Sequence, residues 1–320
     1  MKVVITDYQY DNIDSERRII TGFGAQLRGC QCGTEEELIE ATHDADAVIV
    51  QYCRMTEAVI SRLEHCKLII KYGIGVDNID VAAATRRGVY VANVPAYGVE
   101  EVANHAMAFL LSLARALPTL SAQLRNGVWG YGDCPPVRRL STCTLGLMGF
   151  GRIPAKVCER ARAFGMRVIV HDPFVPEETV RAAGARPVGL DALFAESDFL
   201  SIHCPLTEGT RHLVNRETLA AMKPTAFLIN TARGPVVCEE DLVEALQTGV
   251  IAGAALDVFE SEPAAADNPL LSMPNVLATS HLAWYSEQAI ADVQRMAAEE
   301  VVHVLAGNPP VNLINRELLK

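Results

Sequence analysis

The stretch Thr144–Asp172, TLGLMGFGRIPAKVCERARAFGMRVIVHD, constrains this chain more than any other. It begins with the short apolar run Thr144–Gly149, as a strand buried on both faces requires. Gly149-Phe150-Gly151-Arg152 then turns the chain. From Arg152 to Phe164 the apolar residues Ile153, Val157, Ala161 and Phe164 recur at helical spacing. Gly165 closes that helix, and Arg167–His171 reads as a second strand ending at Asp172. Strand, glycine turn, helix, strand and acid make the layout of a dinucleotide-binding βαβ unit. Glycines let backbone approach a pyrophosphate, a helix N-terminus offers unpaired N–H groups, and an acid about 20 residues on takes ribose hydroxyls. One position departs from the fingerprint: its third glycine falls at Pro154. Proline is tolerated in a first helical turn, where its missing N–H has no intrahelical partner. The helix is therefore expected to start at Arg152 all the same. An ordinary βα turn with glycines is the plain alternative.

The rest of the chain alternates in the same style. Strands are expected at Val3–Thr6, Ala47–Gln51, Leu68–Lys71 and Val89–Asn93. Helices are expected between them at Ser15–Leu27, Glu35–Ala41, Glu57–Leu63 and Val81–Arg87. Thr34 and Glu37 have capping-box spacing, and Gly88 stands where a helix would stop. Val99–Ala116 reads as a buried helix ended by Pro118. Arg125–Arg139, RNGVWGYGDCPPVRR, reads as an irregular connection forming a packed arm, since Trp129 and Tyr131 are costly to expose. Beyond the opening βαβ unit, strands are expected at Phe199–His203, Ala226–Asn230, Gly253–Leu256 and Val276–Thr279, and an amphipathic helix at Ser286–Ala306. The class is α/β, with doubly wound parallel sheets.

With 320 residues the chain is long enough for two domains. Its net charge is −11 with no basic block, which argues against a nucleic-acid surface. No apolar run reaches the roughly 18 residues of a membrane span. The start, MKVVITDYQYD, reads as neither signal nor transit peptide, so a cytoplasmic protein is expected. The nine cysteines are scattered, with only Cys30 and Cys32 close together. Reduced, mostly buried thiols are expected, and no metal site.

Four motifs fall at strand ends, where open α/β sheets place ligands. Lys71–Asn78, KYGIGVDN, follows a strand with two glycines whose amides suit a carboxylate; a tight turn explains the same residues. Asn230–Gly234, NTARG, puts Arg233 directly after a buried strand, where its guanidinium can hold a carboxylate or polarise a carbonyl. A structural ion pair is the bland alternative. Leu256–Pro263, LDVFESEP, brings three carboxylates that also suit a solvated loop. His281, in TSHLAWY, follows the last strand beside an aromatic pair. A glutamate and a histidine from neighbouring strand ends make a workable acid–base pair, and beside a nicotinamide the natural chemistry is hydride transfer coupled to proton transfer.

KYGIGVDNID, GFGRI, HDP, HCPLT, NTARG, LDVFESEP and the final histidine, in this order, resemble the D-isomer-specific 2-hydroxyacid dehydrogenase family over nearly the whole chain. ESEP and HLAWYSEQA resemble the branch containing the C-terminal-binding proteins (CtBP), dehydrogenase-like corepressors. The resemblance implies two Rossmann-like or flavodoxin-like domains, with an NAD-binding domain at 98–286 inserted in a substrate domain of 1–97 plus 287–320. The active site would lie in the cleft between them, and a homodimer would form through the nucleotide domain. Arg233 would bind substrate, His281 would be the acid and base, and Glu262 its partner. Ile74 and Gly75 would help hold the substrate carboxylate, and Trp284 would face the substrate. Gly149, Gly151, Arg152 and Ile153 would meet the pyrophosphate, and Asp172 the adenosine ribose, favouring NAD over NADP. Cys204, Pro205 and Thr207 would line the adenine side. Thr231, Ala232, Asp257 and His281 would lie near the nicotinamide. Pro154 and Ser280 depart from the family pattern, the latter replacing a proline. The implied activity is NAD-dependent oxidation of a small D-2-hydroxyacid, or reduction of its 2-oxoacid; the implied alternative is an NAD(H)-sensing binding protein.

Overall fold

The computed structural model describes residues 1–131 and 134–319. Gly132 and Asp133, within the expected irregular connection, and Lys320, at the end of the expected 287–320 segment, lie outside the described residues. The chain divides into two compact units, Met1–Gly98 with Tyr285–Lys320, and Val99–Trp284.

The first unit is built on β1 (Lys2–Ile5), β2 (Gln26–Gly29), β3 (Ala47–Val50), β4 (Leu68–Lys71) and β5 (Tyr90–Ala92), parallel and in the order β2-β1-β3-β4-β5. The central strands are continuously apolar because helices cover both faces. The Thr34–Glu37 capping box forms in full at the helix Glu35–Thr42. Gly88, at φ +70°, lets the chain leave the helix Val81–Arg86 for β5. The first helix is shorter than its sequence pattern: it covers Asp14–Gly22, and Gly24 at φ +94° turns the chain into β2. β2 is an edge strand, mostly exposed, so QLRG carries no apolar run to betray it.

The last long helix, Glu287–Leu305, starts at Ser286, whose side chain accepts from the Ala289 amide at 2.9 Å. Its Gln294 donates to Glu16 at 3.2 Å and to the Asn12 carbonyl at 2.8 Å. The Tyr72 hydroxyl also donates to Glu16, whose carboxyl burial pushes above its ordinary range despite these bonds. Leu313 pairs antiparallel with Ala92, and Asn315 bonds the Val91 amide and the Val89 carbonyl, each at 2.9 Å.

The second unit carries β6 (Thr144–Met148), β7 (Arg167–His171), β8 (Arg186–Pro187), β9 (Phe199–Ile202), β10 (Phe227–Asn230), β11 (Gly253–Leu256) and β12 (Val276–Ala278). All pairings are parallel, in the order β12-β11-β10-β9-β6-β7-β8. The unforeseen strand β8 is a two-residue edge containing a proline, which gives no periodic signal. Leu145, Leu147, Val168 and Val170 pack on one side with Val157, Ala161 and Phe109. Met148, Ile169, Leu200 and Leu228 pack on the other with Leu193, Phe194 and Leu242. Each such side chain stabilises the fold by about 1.5–3 kcal/mol relative to exposure.

Two expectations fail between the sheets. Pro118 does not end a helix; Val99–Ala114 stops first, Ala116 turns at φ +50°, and Pro118 sits in the first turn of a second helix, Leu117–Arg125. The ring costs no hydrogen bond there. Nor is any described residue of the following arm buried within the chain. Trp129 is 90% and Tyr131 85% exposed, and the helix Leu117–Arg125 has no buried residue. Gly127 and Gly130, both at positive φ, turn the chain beyond that helix. Among the described residues no single helix is long and apolar enough to cross a membrane, and Val99–Ala114 with Leu117–Arg125 passes that test only as a pair bent by 57°.

Candidate active site

The strand order of the second sheet reverses between β6 and β9, and such a switch point opens a crevice at the strands' carboxyl ends. Gly149 ends β6 there at φ +96°. A Cβ on it would stand 3.1 Å from the backbone of His203 and Cys204, so only glycine lets the two strand ends close together. Gly151 is the N-cap of the helix Arg152–Ala163, has no capping side chain, and has open space where a Cβ would be. The helix starts at Arg152, with the Pro154 ring buried in its first turn. Asp172, after β7, accepts from the Phe150 amide at 2.8 Å and the Phe174 amide at 2.9 Å, which ties the acid to the glycine turn. Cys204 is half-buried; burial pushes its thiol up to about 11, so it is an uncharged wall and not a nucleophile. Pro205 and Thr207 lie exposed beyond it, joined through Thr210, which donates to the Pro205 carbonyl at 2.6 Å and accepts from the Thr207 amide at 2.8 Å.

These residues fit a dinucleotide. The uncapped helix start suits a pyrophosphate, and Asp172 has lone pairs left for hydroxyls. Further along the same edge, the Thr231 hydroxyl is buried without a partner among the described residues. A buried polar atom of that kind calls for a ligand or water to complete it.

Next along the edge stands the proton-handling pair. His281 Nδ1 lies 2.7 Å from Glu262 Oε2. Glu262 Oε1 accepts from the Phe259 amide at 3.0 Å. Burial works to raise the Glu262 carboxyl, but the His281 hydrogen bond and charge, the Phe259 amide and the charge of Arg233 together hold it below its ordinary range. An ionised carboxylate only accepts, so Nδ1 carries the proton and Nε2 is left to face a reactant.

Arg233 follows β10 in a turn built by Asn230. The Asn230 side chain accepts from the Ala232 amide at 3.0 Å and donates to the Arg233 carbonyl at 2.9 Å. Arg233 itself donates to the Ala232 carbonyl at 2.6 Å. Gly234 then presses against the next strand's loop: a Cβ there would lie 1.8 Å from the Phe259 carbonyl oxygen. That contact is what sets the arginine turn beside the loop of Glu262.

Asp257, 1% exposed at the end of β11, proves to be an anchor for the histidine turn. Its carboxylate accepts from the amides of Leu282 and Ala283, each at 2.9 Å, and from the Thr279 hydroxyl. Its carbonyl accepts from the His281 amide at 2.7 Å. His281 needs that hold because its φ is +57°, a left-handed conformation costing a non-glycine residue about 1–2 kcal/mol. Sequence reasoning placed Asn230, Gly234 and Thr279 inside strand-end motifs but gave them no role. The signal for Asn230 was present, since an amide side chain ending a buried strand must find hydrogen bonds. Trp284 closes the unit half-buried. Ile74 and Gly75 belong to the first unit, where Asn93 donates to the Ile74 carbonyl at 2.6 Å.

Comparison with known proteins agrees with this layout. Residues 107–283 match the profile of the D-isomer specific 2-hydroxyacid dehydrogenase, NAD binding domain. D-3-phosphoglycerate dehydrogenase of Methanocaldococcus jannaschii is 41% identical over 284 residues, covering 88% of this chain and 54% of that protein. The chain thus spans about half the length of that relative. Glyoxylate reductase of Korarchaeum cryptofilum is 39% identical over 291 residues, covering 90% of this chain and 88% of that protein. The crystal structure of D-lactate dehydrogenase from Aquifex aeolicus, complexed with NAD and lactic acid, superposes with a TM-score of 0.86 at 30% identity, covering 96% of each chain. With its NAD-binding domain matched from 107 to 283 and its length aligned to such relatives, the chain belongs to the D-isomer specific 2-hydroxyacid dehydrogenase family.

Proposed function

We propose that the protein is an NAD-dependent D-2-hydroxyacid dehydrogenase, acting in reverse as a 2-oxoacid reductase. The observation that carries this is the His281–Glu262 pair at 2.7 Å on the sheet edge that also bears Arg233. The Arg233 guanidinium, always cationic, holds the substrate carboxylate and polarises its carbonyl. The backbone of Ile74 and Gly75 shares the carboxylate. In reduction, His281 delivers its Nε2 proton to the carbonyl oxygen as that oxygen becomes a hydroxyl; in oxidation, neutral Nε2 takes the proton back. Glu262, ionised, stabilises the imidazolium between these steps. Gly149, Gly151, Arg152 and Ile153 hold a pyrophosphate, Asp172 the adenosine ribose, Cys204, Pro205 and Thr207 the adenine side, and Thr231, Ala232 and Asp257 the nicotinamide end. The nicotinamide cofactor supplies or takes up the hydride. Asp172 repels a 2′-phosphate, so NADH is used in preference to NADPH. Trp284 gives the pocket tolerance for apolar substituents.

The test is a panel of 2-oxoacids, glyoxylate and hydroxypyruvate among them, scored by oxidation of NADH and of NADPH, with 3-phosphoglycerate and NAD in the forward direction. Turnover with NADH on one or more members is expected. Saturable NADH binding with no turnover on any of them would overturn the enzyme reading. It would favour the corepressor-like alternative that ESEP and HLAWYSEQA suggest.

The exposed arm supports a homodimer. Leu117, Leu124, Val128, Trp129 and Tyr131 all stand open within one chain, on and after a helix that buries nothing. Sedimentation is expected to find a dimer, and Leu124→Ser with Trp129→Ser is expected to shift it to monomer. A wild-type monomer at every concentration, with and without NADH, would exclude this.

A further inference from the structure

The long helix Val99–Ala114 carries a histidine for which the proposed reaction has no use. His105 is half-buried, its ring edge-on to Phe109 with centroids 4.4 Å apart. Its Nε2 lies 3.1 Å from the Thr279 hydroxyl, which also bonds Asp257. The protons in this chain have a fixed direction. An ionised Asp257 only accepts, so the threonine proton points at Asp257, and the threonine oxygen in turn accepts from His105. The His105 tautomer therefore carries its proton on Nε2. Downstream, the same Asp257 holds the amides of Leu282 and Ala283, and its carbonyl holds the amide of His281.

The Asp257 carboxylate draws the Thr279 proton, and the His105 N–H engages the threonine oxygen from the other side, so the hydroxyl is held at both ends. The turn it helps to fix is the strained one, with His281 at φ +57°. We propose that His105 is a positioning residue for His281, acting through Thr279 and Asp257 to fix the turn that presents the imidazole. The proposal rests on His281 being the acid–base group. Burial lowers the His105 pKa against the raising effect of the Asp257 charge, which favours the neutral ring. The bland alternative is that His105 merely fills space on an apolar helix. The two differ in one respect: a filler is replaced by any side chain of similar volume, whereas a donor is replaced only by another donor.

The experiment uses the full chain, NADH and whichever 2-oxoacid the panel shows to be turned over. His105→Leu is expected to lower kcat per NADH-binding site by roughly tenfold, as misplacement of a reacting group does, with NADH affinity unchanged. His105→Gln, whose amide nitrogen can donate to Thr279, is expected to restore most of that loss. Thr279→Val breaks the chain at its next link and is expected to match His105→Leu, with the double variant no worse than either single one. Wild-type kcat per site in His105→Leu, or a His105→Gln variant as slow as His105→Leu, would overturn the proposal. Should His105→Leu fail to fold, wild-type kcat in Thr279→Val overturns it instead. His281→Asn, assayed alongside, separates the layers. If that variant keeps its turnover, the acid–base reading itself has failed; if only the His105 variants keep theirs, the positioning role alone has failed.

Discussion

Replacing His281 by asparagine is expected to lower kcat by about two to four orders of magnitude while NADH still binds. Asparagine is the informative choice because it tolerates positive φ, so the turn at +57° survives while the proton carrier is lost. Alanine removes the same group but adds backbone strain to the comparison. Steady-state NADH oxidation gives kcat, and NADH fluorescence titration gives the binding. Glu262 would lose its imidazole partner, and with it the largest of the influences that lower its carboxyl. Near-normal turnover by His281→Asn would show that some other group moves the proton.

The second large effect is expected from Gly234→Ala, a change that touches no reacting group. The added Cβ would stand 1.8 Å from the Phe259 carbonyl oxygen and 2.5 Å from the Glu260 amide nitrogen. Both are backbone atoms and cannot swing aside, so the turn of Arg233 and the loop of Glu262 must part. Overpacking of this kind costs about 1–3 kcal/mol of stability. A displacement on the order of 1 Å between reacting groups costs about 100-fold in rate. The kcat/KM loss should therefore exceed anything the melting temperature explains. Wild-type kcat/KM in Gly234→Ala would mean that the two loops do not need their present spacing.

The motifs were legible in the sequence because each is fixed by local chemistry at a strand end. GFGR needs glycines for backbone approach, NTARG follows a largely buried apolar run, and the histidine turn follows the short apolar strand VLA. What escaped has a common cause. β2 and β8 are exposed edges with no apolar pattern, and Pro118 is read differently depending on whether a helix ends before it or begins at it. The arm of Trp129 was expected to be packed because aromatic exposure is costly, and that argument names no surface within the chain to receive it. Thr279 and His105 bond to partners many residues away, so no spacing rule reaches them. Asp257 is the most instructive case. The family resemblance implies a cofactor contact for it, and the fold shows its carboxylate also holding the turn of His281.

The order of synthesis gives the two units different histories. Val99–Trp284 is continuous in sequence and has every strand of its sheet once Ala278 has been made. The other unit is begun first and closed last. Its buried Glu16 waits for Gln294, and the outer edge of its sheet at β5 waits for Leu313 and Asn315. Domains fold as units while the chain emerges. In chain order, the unit carrying Arg233, Glu262 and His281 thus has all its strands before Gln294, Leu313 and Asn315, which the other unit needs, are reached.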